Sequence, residues 1–182
     1  MSARTQFYRN KLEFTFADRR WLTYEEVASG AELDASPAVG FHIPGMFDKV
    51  LDIHRCWLQP EPSNAIRLEA KRFCVEHGYT FHNAREHSGL MRNMIIRTAS
   101  TGEVMVIVVF GQEDMPRIEA LLDHLAAAFP AITSLFYVVN TKWNDSVVTR
   151  PRRPGRRRTK PPSLLRRTRK LPRRLQKRPR QS

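Results

Sequence analysis

Cysteine is scarce in this chain: Cys56 and Cys74 are the two among 182 residues. That excludes a disulfide scaffold, and a reducing cytoplasm is the expected setting. Glycine is sparse too, at eight residues. No glycine-rich turn follows a strand, so a Rossmann-type cofactor cradle has nothing to form from. Long apolar runs are missing. The best, from Val104 to Phe110, is too short to span a bilayer and reads as a strand. The opening Met-Ser-Ala-Arg-Thr-Gln lacks the apolar stretch of a secretory signal. Six histidines, His42, His54, His77, His82, His87 and His124, show neither HExxH nor zinc-finger spacing. His82 and His87 fall in a loop, with Arg85 and Glu86 between them.

Acidic residues are missing from one end only. The net charge of +13 suggests a nucleic-acid partner, yet its distribution changes its meaning. From Val147 to Ser182 there are 16 Lys and Arg and no Asp or Glu. Of the 31 basic residues, 15 remain for positions 1–146, against all 18 acids, a net of −3. The part with globular grammar is mildly acidic, and the basicity belongs to the tail.

Apolar residues make up 41% of the chain, enough for a core. Gln6–Phe16 alternates, as a strand with one wet face does. Thr23-Tyr24-Glu25-Glu26 offers an N-cap and an acidic first turn, so a short helix follows, stopped at Gly30. Val39–Ile43 and Lys49–Ile53 are strands about a Pro44-Gly45 turn. A helix is expected over Ser63–His77, with Ile66, Ala70, Phe73 and Cys74 on one face. Ser100-Thr101-Gly102 joins strands Leu90–Thr98 and Glu103–Phe110 as a hairpin. Glu113-Asp114 opens a second helix, in which Ile118, Leu121, Leu122, Leu125 and Phe129 recur at core spacing. Ile132–Val139 is the last strand. From Lys49 onward the order is the split βαβ, ferredoxin-like one. The expected class is α+β, an antiparallel sheet with two main helices. The Gln6–Ile43 segment is expected at a sheet edge or as a separate hairpin. Three units result: a linker with strand and short helix over 1–37, a central domain over 38–146, and a tail over 147–182.

Several strings in this domain carry a resemblance. They are Tyr8-Arg9-Asn10-Lys11-Leu12-Glu13-Phe14, Gly40-Phe41-His42 with Gly45, and Val50-Leu51-Asp52-Ile53-His54-Arg55-Cys56. Gly89 to Arg97, Thr101 to Val106 and Tyr137 to Lys142 follow in order. Together they resemble the bacterial 23S rRNA uracil-C5 methyltransferases, in the form common among Bacteroidetes, over roughly residues 4–146. The resemblance implies methyl transfer from S-adenosylmethionine to uracil C5 of RNA, and a cytoplasmic monomer with no membrane partner. It also implies a 4Fe–4S centre, for which Cys56 stands at the position of the fourth ligand.

The departures matter as much. The small RNA-binding barrel and the three upstream cysteines of that family are missing, and a 4Fe–4S centre needs four ligands. No cluster is expected on this chain alone, where Cys56 reads as a buried thiol. The cofactor-binding catalytic domain is missing too. Neither cysteine lies in the proline-flanked setting of the family nucleophile, so no catalytic or cofactor-binding residue is assigned, and the chain alone is expected to be inactive. Four residues are carried as RNA contacts: Arg9, Lys11, Arg92 and Arg97. Arg92-Asn93 carries the alternative reading of a sheet-edge or domain-contact feature. Trp21, Trp57 and Trp143 are expected in core or domain-contact packing.

The resemblance stops at Asp145-Ser146, where Arg and Pro take over. Such a run cannot bury enough surface to offset its ordering entropy, so disorder is expected. Out-of-frame reading of GC-rich DNA yields this composition, and a frameshift near Val147 is the expectation. The alternative is a non-enzymatic RNA- or ribosome-binding protein acting through a basic arm, although the arm lacks base-stacking aromatics.

Overall fold

The structure is a computed structural model that describes residues 5–30 and 36–143. The tail expected to be disordered, and the frameshift placed near Val147, lie outside the described residues. Six strands form one sheet: β1 (Lys11–Ala17), β2 (Ala38–Ile43), β3 (Met46–Asp52), β4 (Met91–Thr98), β5 (Val104–Phe110) and β6 (Ile132–Val139). Three helices accompany them: α1 (Tyr24–Ala28), α2 (Ser63–Glu76) and α3 (Met115–Ala128). The class is α+β, as the sequence pattern implies.

Local chemistry sets these elements. Thr23 Oγ1 accepts from Glu26 N–H while the Glu26 carboxylate accepts from Thr23 N–H, a capping box that starts α1. Asp114 caps α3 by accepting from Arg117 N–H at 3.2 Å, and Pro116 fits its first turn. In β1, Leu12, Phe14 and Phe16 are buried while Lys11 and Glu13 are exposed, the alternation of a half-covered strand. On α2, Ile66, Ala70, Phe73 and Cys74 are buried; on α3, Ile118, Leu121, Leu122 and Leu125 are. Both helices pack these stripes on the sheet face that carries Leu12, Phe14, Phe16, Met94, Ile96, Val106 and Val108.

The strand order, β3-β2-β1-β4-β5-β6, departs from the ferredoxin-like one. A split βαβ unit places another strand between the two that its helix connects. Here β5 and β6, joined through α3, are direct parallel neighbours, and every other pair is antiparallel. The sheet is therefore mixed. β1 is interior, paired with β4 on one side and β2 on the other, so Gln6–Ile43 supplies the middle of the sheet rather than an edge or separate hairpin. The physical reason lies in β1 itself. Its Leu12 and Phe14 face Ile96 and Met94 in register, and so apolar a strand is buried best with a neighbour on each flank.

Close approach accounts for one glycine in the resemblance. A Cβ at Gly40 would meet the backbone carbonyl of Leu51 on the paired strand β3. Only a residue without a side chain fits there.

Candidate functional site

The second face of the sheet, covered by neither α2 nor α3, presents Lys11, Glu13 and Thr15 from β1. Opposite them, in register, stand Arg97, Ile95 and Asn93 from β4. Lys11 and Arg97 are thus directly cross-strand, both exposed. Among the described residues neither has an ion-pair partner. Like charges placed opposite each other destabilise a sheet by tenths of a kcal/mol, about 0.2–1. A bound polyanion removes that cost. The two cations line a broad, shallow groove with Asn10, Thr98 and Ser134, and Glu103 lines it too.

A second cluster adjoins it. The chain just before β1 hydrogen-bonds to the loop after β3: Phe7 N–H to the Trp57 carbonyl at 2.8 Å, and Arg9 N–H to the Leu58 carbonyl at 2.9 Å. This brings exposed aromatic rings beside exposed guanidinium groups. Phe7 and Trp57 lie with centroids 5.8 Å apart, Arg55 stacks over Trp57 at 3.9 Å, and Arg9 sits 5.9 Å from the Tyr8 ring centre. Aromatic faces interleaved with arginine suit single-stranded nucleic acid, whose bases stack while its phosphates are neutralised. The sequence reading had Arg9 but not Arg55, Phe7, Tyr8 or Trp57. The string Arg55-Cys56-Trp57 held the signal; its pairing with residues 7–9, some 50 positions away, is set by the fold.

Arg92 is placed differently from the other three expected contacts. It is buried at a β-bulge in β4, an interior strand, and its Nη1 donates to the carbonyls of Asn140 (2.8 Å) and Lys142 (2.7 Å). It thereby fixes the chain that follows β6. Trp57 and Trp143 are exposed, outside the core.

Cys56 is buried in the loop after β3, held by Asn64 of α2. Its N–H donates to Asn64 Oδ1 at 2.9 Å, and Asn64 Nδ2 donates to its carbonyl at 3.1 Å. Beside them Arg67, fully buried, donates to the carbonyls of Val39, Ile53 and His54 and to Asn64 Oδ1, and lies over the Phe14 ring. Burial holds its guanidinium below its usual range, an effect Asp52 partly offsets. Sequence reading missed Arg67, because nothing in the α2 pattern separates it from a solvated arginine. Cys74 is buried on α2 and burial pushes its thiol far up, so it is no nucleophile. Among the described residues no three or more His, Cys, Asp or Glu converge where they could hold a metal. One cysteine at a matching position does not make up the four ligands of a 4Fe–4S centre. The described residues also form no glycine-rich strand-to-helix turn for S-adenosylmethionine. No described helix is long and apolar enough to cross a membrane.

Comparison with known proteins gives this geometry a context. No family model matches the chain. It is 52% identical over 149 residues to a protein of Bacteroides thetaiotaomicron named an uncharacterized RNA methyltransferase, covering 80% of this chain and 33% of that one. A Porphyromonas gingivalis protein of the same name is 53% identical over 152 residues, covering 80% and 32%. A Chlorobaculum tepidum relative, also so named, is 37% identical over 127 residues, covering 68% and 26%. Among solved structures, Pyrococcus abyssi tRNA (uracil-54, C5)-methyltransferase in complex with S-adenosyl-L-homocysteine shares the fold. Its TM-score is 0.55 at 20% identity, over 80% of this chain and 30% of that one. The chain spans about a third of the length of the Bacteroides and Porphyromonas relatives.

Proposed function

The chain is the counterpart of one stretch of proteins named RNA methyltransferases, and from that premise we propose that it is the central domain of an RNA uracil-C5 methyltransferase acting on 23S rRNA. In such an enzyme S-adenosylmethionine supplies the methyl group, and residues outside this chain bind it and attack the base. The observation that carries the reading is the 52% identity over 80% of the chain. The fold shared with a uracil-C5 methyltransferase supports the choice of reaction.

This domain's share is to bind RNA. Lys11 and Arg97 neutralise phosphates in the shallow groove, and the Arg9, Arg55, Tyr8 and Trp57 cluster extends that surface. Phosphate contacts position a strand without reading its sequence, so selection of the uridine belongs to other parts of the enzyme. The chain alone transfers no methyl group. In the whole enzyme Cys56 would be this chain's contribution to a 4Fe–4S centre, whose other ligands lie outside this sequence.

Ultraviolet cross-linking of the full chain to 23S rRNA fragments, followed by peptide mapping, tests this reading. Cross-links are expected in the peptides holding Tyr8, Trp57 and Arg97. Cross-links confined to residues 147–182 would show the basic tail acting alone, which is the rival reading of a binding protein that works through its arm.

A further inference from the structure

We propose that a cavity at the far end of the same sheet face accepts one unstacked nucleobase of the bound RNA. The inference rests on the RNA-binding reading above and adds a second site to it. The cavity measures about 300 Å³, at the lower end of ligand-binding pockets, and lies where Thr15 and Asn93 pair across β1 and β4. From Lys11 to Thr15 is four residues of strand, about 13 Å at roughly 3.3 Å per residue. The phosphate-facing cations and the cavity therefore share one face, a short step apart.

Its walls suit a flat heteroaromatic ring. Trp143 and Phe47 both line it, and both are largely exposed, at 78% and 70%. Large aromatic side chains so exposed lie outside the core, and a base is what such rings stack upon in single-stranded RNA. The His87 ring lies with its centroid 3.8 Å from that of Trp143. His87 lines the cavity, and its Nδ1 is a buried polar atom without a hydrogen-bond partner.

The site is built rather than incidental. Arg92 fixes the carbonyls of residues 140 and 142, which sets Trp143 in place. The loop bearing His87 is held by Asn83, whose Oδ1 accepts from the N–H groups of Arg85 and Glu86 and whose Nδ2 donates to Asp18 at 2.9 Å. His87 itself adopts φ +51°, a left-handed backbone that a histidine enters at a cost and that tends to mark functional loops. The lining carries both signs: Asp18 and Asp48 are in it, Asp48 paired with Arg85 at 2.6 Å, and so is Arg92, so no cluster of unpaired cations marks it as a phosphate site.

The test uses neutral nucleosides, uridine and adenosine, which the basic tail cannot retain by charge. Saturation-transfer NMR on the full chain is expected to show base protons contacting the protein more than ribose protons, with binding insensitive to salt. His87→Ala and, separately, Trp143→Ala should each weaken nucleoside binding at least five-fold, as loss of one stacking or edge contact does. Because Trp143 is a surface residue, its variant keeps the test alive if His87→Ala fails to fold, which circular dichroism reports. Lys11→Gln with Arg97→Gln should leave nucleoside binding unchanged while weakening that of an oligoribonucleotide. No saturable nucleoside binding, or binding untouched by a folded Trp143→Ala, overturns the pocket. If oligoribonucleotide binding still depends on Lys11 and Arg97 in that case, the RNA-binding reading stands without it.

Discussion

Arg67 shows how one side chain joins the elements that carry the candidate surface. It sits on α2, under the sheet, and its guanidinium collects the Val39, Ile53 and His54 carbonyls at the ends of β2 and β3. The same helix holds Cys56 through Asn64, and Cys56 adjoins Arg55 and Trp57 of the aromatic cluster. Arg67→Ala leaves several buried carbonyls without donors. Each such group costs about 1–3 kcal/mol, so a loss on the order of 3 kcal/mol is expected in chemical denaturation of the chain. A loss below 1 kcal/mol would show that water replaces the guanidinium and that the site is less enclosed than it looks. None of this was legible in the sequence. An arginine at a helical position is solvated by default, and only the tertiary fold, which lays α2 across the β2 and β3 ends, buries this one. Lys11 was easier to place: it alternates with buried neighbours along β1, so its side of the sheet followed from periodicity, whereas β4 is buried from Met91 to Ile96 and the side of Arg97 follows from its register with Lys11.

Elements were legible to the extent that their signals are local. Capping at Thr23 and Asp114, the hairpin at Gly102 and the stripes of α2 and α3 each depend on residues within a few positions. The place of β1 does not. Its pairing with β4 joins positions about 80 apart, and counting strands from Lys49 onward omitted the two that fill the middle of the sheet. Between the two main helices a polar link supplements the apolar contact. Glu69 of α2 accepts from Arg72 and meets His124 Nε2 of α3 at 2.6 Å. Arg72 above all, then His124, holds the Glu69 carboxyl down at about 2, against its ordinary 4.5. A carboxyl depressed in the folded state stabilises the fold above its unfolded value and loses that contribution as pH falls through its folded one. The stability difference between the wild type and Glu69→Gln should therefore be full above pH 4.5 and vanish by about pH 2. Urea unfolding across that range measures it. A difference that does not change with pH would assign the contact a packing role alone.

At the scale of the whole molecule, charge is divided in a way that shapes every RNA experiment. Residues 147–182 carry 16 basic groups with no acids, while the remainder is net −3. Such a tail binds any nucleic acid with strong salt dependence, so affinity alone says nothing about the folded domain. The domain's own contribution has to be read as a difference between chains with the same tail. The relatives provide the reason to expect one: they are about three times as long as the stretch matched here, and bear the name RNA methyltransferase.

The most direct measurement is the salt dependence of binding to a single-stranded 23S rRNA fragment, compared between the full chain and its Lys11→Gln, Arg97→Gln double variant. Each phosphate neutralised on a single strand contributes about 0.7 to the slope of log K against log salt. Removing both cations should lower the slope by about 1.4 and weaken binding, with the tail's contribution cancelling between the two proteins. An unchanged slope and affinity would contradict the claim that Lys11 and Arg97 on this sheet face bind RNA.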